Sequence, residues 1–167
     1  MANYNYFYIF LINENRSKYY SDITIPSTVK VTNTTDYKLD TIIGVLSSHI
    51  FEYDTLSVKV YYMSINILYE DFHFKAFIQK NPFYDKEYFI FISRGLSDNE
   101  LKKSLSHEFV HIDQMERGDL IISGLKAYWK GEEIDLNNVH YMDRGFEIEA
   151  HNKQKEVLRK LNKILYR

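Results

Sequence analysis

The chain contains no cysteine, which removes disulfide scaffolds, thiolate metal sites and cysteine nucleophiles together. Any transition metal must then be held by histidine, aspartate or glutamate. Only 2 prolines and 6 glycines occur in 167 residues, so collagen-like and Pro/Gly-rich linker architectures are excluded. The net charge is just -2, which gives no support for a phosphate-binding surface, and no nucleic-acid partner is expected. No apolar run approaches the length needed to cross a bilayer, and no membrane partner is expected. The apolar run YNYFYIFLI at 4–12 has no basic segment before it and no small-residue cleavage site after it. A signal peptide is therefore not expected, and the protein is read as soluble and non-secreted.

The rest of the composition points to a folded chain. At 45% hydrophobic and 26% charged, the sequence suits a single globular domain over 1–167 with one sizeable core. Aromatics reach 16%, mostly tyrosine and phenylalanine, but alongside many Ile, Asn and Lys this reads as coding bias rather than a stacking platform.

The periodicity changes along the chain. Residues 4–12 suit a buried strand, and ITIPSTVKV (23–31) suits one or two extended pieces interrupted by Pro26. Leu39, Ile42, Ile43, Leu46 and Ile50 recur at helical spacing, which predicts an amphipathic helix of about three turns. LSVKVYYM (56–63), INILYEDF (65–72), HFKAFIQ (73–79) and EYFIFIS (87–93) read as strands separated by short turns and suggest a mainly antiparallel sheet. Ser97-Asp98-Asn99-Glu100 is a capping box, and the apolar stripe Leu101, Leu105, Phe109 and Ile112 follows it. A helix over about 97–117, stopped near Gly118, is the result. Residues 119–137 are glycine-punctuated and partly extended, and a last helix is expected over about 144–165. The fold class expected is α+β.

Chemistry concentrates on the 97–117 helix, where His107-Glu108-Phe109-Val110-His111 stands. Residues i and i+4 of a helix project from one face about one turn apart, so His107 and His111 can offer imidazoles to one ion. Glu108 adjoins the first of them and can act on a water held by that ion, the H-E-x-x-H arrangement of zinc hydrolases. By composition alone such a motif arises somewhere in this chain with a probability of roughly 1–2%. A catalytic zinc needs a third protein ligand. The longer pattern H-E-x-x-H-x-x-G-x-x-H fails, because Gln114 and Arg117 take its glycine and third-histidine positions. The remaining candidates are Asp119, Glu132, Glu133, Asp135, His140, Asp143, Glu147, Glu149 and His151. GFEIEAH (145–151) opens the final helix, and Glu147 and Glu149 lie about 200° apart around it, so only one can face the first helix.

A glutamate on a second helix downstream of H-E-x-x-H resembles the gluzincin, thermolysin-like arrangement. Glu147-Ile148-Glu149-Ala150 matches the first four positions of its E-x-x-A/S-D pattern, with His151 where that family has aspartate. The chain also resembles small metallopeptidases of phages and Bacteroidetes-type genomes that pair HExxHxxQ with a tyrosine-preceded ExEA segment. His107 to Gln114 and Tyr141 to Ala150 carry that similarity, which covers about 97–158. Gly145-Phe146 replaces the Pro-Trp pair found there.

The resemblance implies a zincin-like domain that holds Zn2+ through His107, His111 and Glu147, with Glu108 as general base and a peptide or protein as substrate. It extends the expected setting to a cytoplasmic or phage-associated one. Tyr141 is a candidate oxyanion donor, as a neutral phenol can be in a dry site; His140 and Arg144 are alternatives. Gln114 lies one turn further along the ligand face and can hydrogen-bond a ligand or the substrate. His49, His73 and His151 have no motif around them and are expected to serve the core or the surface. EYFIFIS or a neighbouring strand offers an edge for an extended substrate. The competing expectations are a protein of the same fold acting as a structural or interaction component, and a plain α+β binding domain without metal.

Overall fold

The computed structural model describes residues 29–33, 37–63, 68–69, 72–73, 75–123 and 126–166. The strand expected over 4–12 and most of the extended piece expected over 23–31 lie outside them. In chain order the described elements begin with β1 (Val29–Asn33), α1 (Tyr37–Val45, continued by a wider turn over Leu46–Ile50) and β2 (Leu56–Met63). A minimal hairpin of β3 (Leu68–Tyr69) and β4 (Phe72–His73) precedes β5 (Ala76–Lys80) and β6 (Glu87–Ser93). Then come α2 (Asp98–Glu116), β7 (Leu120–Ser123), β8 (Lys126–Trp129), β9 (Glu132–Asp135), a 3-10 turn (Tyr141–Asp143) and α3 (Gly145–Leu165).

This is a mixed α+β architecture, and its sheets refine the expectation. The pairs β3–β4, β5–β6, β7–β8 and β8–β9 are antiparallel. The main sheet, however, runs β1-β2-β6-β5, and its β1–β2 and β2–β6 pairs are parallel. Alternation in a sequence shows that a strand exists but not which way it runs. Direction follows from the connections: parallel neighbours need a crossover, supplied by α1 between β1 and β2 and by β3 to β5 between β2 and β6.

One face of that sheet builds the core. Val58, Val60, Tyr88, Ile90 and Ile92 point inward and are essentially inaccessible. The opposite face is half-buried, where Phe77, Phe91 and Tyr61 stack across β5, β6 and β2 at 4.6 and 5.4 Å between centroids.

Helix α1 departs from the one-sided helix expected, because residues 41–47 are all buried. It is a core helix wedged between the sheet and the other helices. The Ser47 and Ser48 hydroxyls are satisfied locally, donating to the carbonyls of Ile43 and Gly44 at 2.8 and 2.7 Å.

Helix α2 begins as its sequence dictates. Ser97 accepts from the Glu100 N–H, and Glu100 accepts from the Ser97 N–H at 3.1 Å. It ends in a Schellman motif: Gly118 takes φ 75°, its N–H reaches Met115, and the Asp119 N–H reaches Gln114 at 2.9 Å. Only glycine adopts that left-handed backbone without strain. Helix α3 lays Phe146, Glu147, Ala150, Gln154, Val157, Leu161 and Leu165 into the interior. Ala150 is fully buried, so the small side chain lets α2 and α3 approach closely. A second small apolar cluster joins Leu120 and Ala127 to Phe146, with Trp129 and Ile134 against it. It ties the β7–β8–β9 sheet to the first turn of α3. No helix among the described residues is long and apolar enough to cross a membrane.

Candidate metal centre

The middle of α2 is buried on every side from Leu105 to Ile112. Its apolar side is the expected stripe. Its polar side meets the start of α3, and there the two motifs come together. His107 Nε2 lies 3.1 Å from His111 Nε2 and 3.1 Å from Glu147 Oε2, and His111 Nε2 lies 3.4 Å from the same oxygen. Among the described residues these three form the group able to hold a metal ion.

The fit to a transition metal can be tested on those distances. A tetrahedron with spokes of 2.0–2.1 Å, the range for zinc bound by imidazole and carboxylate, has edges of about 3.3–3.4 Å. Separations of 3.1, 3.1 and 3.4 Å therefore suit three vertices of such a site, and a donor set of two nitrogens and one oxygen suits its chemistry. Two bare imidazole lone pairs cannot face each other at 3.1 Å without a cation or a proton between them.

The buried side chains of the triad also set one another's charge. Burial works against a charge on His111, yet its hydrogen bond to Glu147 and that carboxylate's charge outweigh burial and push the imidazole up to about 9. Burial likewise works to raise the Glu147 carboxyl, but hydrogen bonds from His107 and His111 and the charge of His111 hold it well below the usual range. Glu108, 5% exposed, is pushed up to about 7, chiefly by burial and secondarily by the Glu147 charge, with His111 opposing.

The surroundings orient the triad unequally. His111 Nδ1 meets Gln114 Oε1 at 2.8 Å, and Gln114, itself fully buried, donates onward to the Phe146 carbonyl at 2.9 Å and toward Glu149 at 3.4 Å. An acceptor at Nδ1 fixes the tautomer that leaves Nε2 free to ligate. His107 Nδ1, by contrast, is buried and has no hydrogen-bond partner.

Tyr141 lines the same cleft, and its phenol hydrogen-bonds Glu147. Burial and the Glu147 charge hold the hydroxyl protonated far above the ordinary tyrosine range. The cleft, about 110 Å³, is walled by Ala76, Phe77 and Ile78 of β5, with Leu120, Ile122 and Phe146 opposite. The sequence offered EYFIFIS or a neighbouring strand as an edge, and the strand in the cleft wall is the neighbour, β5.

Other candidates find work elsewhere. Glu149 is turned away from the triad and bonds Lys153 at 2.5 Å and Arg117 at 3.3 Å. Asp119 pairs with Arg117, Glu133 with Lys126, and Asp135 accepts from the Asn137 N–H and the Asn138 amide. His140 is exposed and caps the 3-10 turn by accepting from the Met142 N–H. Arg144 acts as a clamp: it donates to the carbonyls of Val139 and Leu136 at 3.2 and 2.8 Å. His49 is exposed at the end of the α1 segment, and the side chain of His73 lies outside the described residues. His151, expected to serve the core or the surface, packs its ring 4.7 Å from that of His107. Its signal in the sequence was the spacing of one helical turn from Glu147.

Against known proteins the chain gives no lead: no family model matches it, no curated protein matches it and no solved structure matches it.

Proposed function

We propose that the chain is a zinc-dependent hydrolase of zincin-like fold, and that its reaction is the cleavage of peptide bonds. The observation that carries this reading is the convergence of His107, His111 and Glu147 at 3.1–3.4 Å in a cleft that also holds Glu108. His107, His111 and Glu147 would be the zinc ligands. Zinc held there supplies Lewis acidity that brings a water toward ionisation near neutral pH.

The remaining chemistry belongs to the chain. Glu108 takes a proton from the attacking water and returns it to the leaving amine. Burial raises the Glu108 carboxyl above the ordinary glutamate range, which suits a group that must first accept a proton and then release it. Tyr141 keeps its proton and stands at the cleft; with Glu147 engaged as a zinc ligand, its hydroxyl would turn from that carboxylate to donate to the oxygen that gains charge. β5 ends the four-stranded sheet, and no described strand pairs with its outer side. An extended peptide added along that edge would cross the cleft beside Ala76–Ile78.

The test has two parts. Protein purified without chelators should carry about one equivalent of zinc, as a three-ligand site with one open position does; less than a tenth, with no uptake on titration, overturns the metal reading. Glu108→Gln should keep its zinc and lose peptide hydrolysis by roughly 10²- to 10⁴-fold. Unchanged hydrolysis would remove Glu108 from the mechanism.

A further inference from the structure

Two buried ring nitrogens near the triad have no hydrogen-bond partner, His107 Nδ1 and His151 Nε2. They belong to rings whose centroids are 4.7 Å apart and inclined by 54°. A buried polar atom left unpaired costs roughly 1–3 kcal/mol, and two such atoms on touching rings are chemically complementary. One imidazole nitrogen can donate while the other accepts. His111 already has such a partner in Gln114, at 2.8 Å; His107 has none from the rest of the described site.

We propose that His151 is the positioning partner of His107: its Nε2 accepts the Nδ1 proton of His107, directly after a small ring rotation or through one bridging water. The inference rests on the metal reading given above, since it concerns how one ligand of that site is held. His151 is well placed for the role. It lies one helical turn beyond Glu147 on α3, so the segment that carries the carboxylate also carries the orienting group for the opposite imidazole. The Tyr141 ring stands at 6.3 Å on another side of His151, at nearly a right angle, which restrains the His151 ring against swinging into solvent. With Nδ1–H of His107 engaged, Nε2 is left unprotonated and aimed at Glu147 and His111. Each imidazole of the triad would then have its own acceptor, Gln114 from α2 for one and His151 from α3 for the other. His151 acts through His107 and is not itself a ligand.

The experiment compares zinc affinity, by competition with a chromogenic chelator, for the full-length wild type, His151→Phe and His151→Asp. Phenylalanine keeps the ring packing and removes the acceptor, whereas aspartate restores an acceptor and abandons the packing. His151→Phe should bind zinc roughly 10- to 100-fold more weakly, and His151→Asp should stay within about threefold of wild type if the acceptor is what matters. Unfolding of each metal-free protein checks that the variants fold; His151→Leu carries the same expectation as phenylalanine if that variant does not. Wild-type affinity in His151→Phe, or an aspartate variant no tighter than the phenylalanine one, overturns the assignment while leaving the metal site standing. A wild type that takes up no zinc overturns both.

Discussion

Adding a single methyl group at Gly145 probes the junction on which the candidate site depends. A Cβ there would stand 2.6 and 2.7 Å from Nε1 and Cδ1 of Trp129. Ordinary contact between such atoms begins at about 3.5 Å, so ring and helix must separate by roughly 1 Å. The indole cannot yield freely. It sits on β8, hydrogen-bonded into a three-stranded sheet, and meets the Phe146 ring edge-on at 6.3 Å. Part of the displacement therefore falls on the first turn of α3, two residues before Glu147. If the helix takes half of it, the Glu147 carboxylate moves by about 0.5 Å, more than twice the tolerance of roughly 0.2 Å in metal–ligand distances. Gly145→Ala should weaken zinc binding about 10-fold or more, the scale of a disturbed supporting contact. Overpacking costs about 1–3 kcal/mol, and replacing glycine in a helix returns up to about 1 kcal/mol. The net is a fall in Tm of a few degrees for a domain of this size, at about 2–4 °C per kcal/mol. Chelator competition and thermal unfolding of the metal-free protein measure the two effects. A variant with wild-type affinity and an unchanged or higher Tm would refute the close Trp129–α3 packing as the support of Glu147.

Further expectations concern the triad itself. Glu147→Gln should reduce zinc affinity by more than about 100-fold, since it removes a charged ligand rather than a supporting contact. Glu149→Gln should change affinity by less than about threefold, because its ion-pair partners Arg117 and Lys153 are half-exposed, such pairs are weak, and glutamine keeps an oxygen for the long contact from Gln114; the reverse order in the same titration would mean the wrong carboxylate has been assigned. Zinc binding should also depend on pH. His111 in the metal-free protein is raised from 6.5 to about 9, so below that value a proton must leave for a metal to bind. Apparent affinity should then climb about tenfold per pH unit from 7 toward 9 and level off above. The sign is opposite for the metal-free fold, where this raised imidazole contributes stability that is complete below 6.5 and is lost as pH rises through about 9. Calorimetry in two buffers of different ionisation enthalpy counts the released proton, and an affinity flat between pH 7 and 9 would contradict the protonated His111.

Several elements were legible from local order alone. The 56–63 and 87–93 strands, the capping box at Ser97 and the stop at Gly118 all coincide with the structure, because alternation, caps and left-handed glycines act between near neighbours. The spacing of His107 and His111 likewise fixed that their rings share one face of α2. Strand direction was not written there, nor was the burial of α1 on all sides, since both depend on what packs across the chain. Gly145 gave no hint of Trp129, sixteen residues earlier in the chain.

By itself, then, the sequence determined the three described helices, the strands β2, β5 and β6 of the main sheet, and one half of the candidate centre. The tertiary structure decided the other half: which of two glutamates two residues apart meets the imidazoles, that Gln114 and His151 stand behind them, and that β5 forms a wall of the cleft. Hydrogen bonding and side-chain periodicity act over a few residues and leave a readable trace. The meeting of α2 with α3 is set by the burial of Ala150, by Phe146 seated against Trp129, and by close packing between segments some 40 residues apart, where no local pattern reaches.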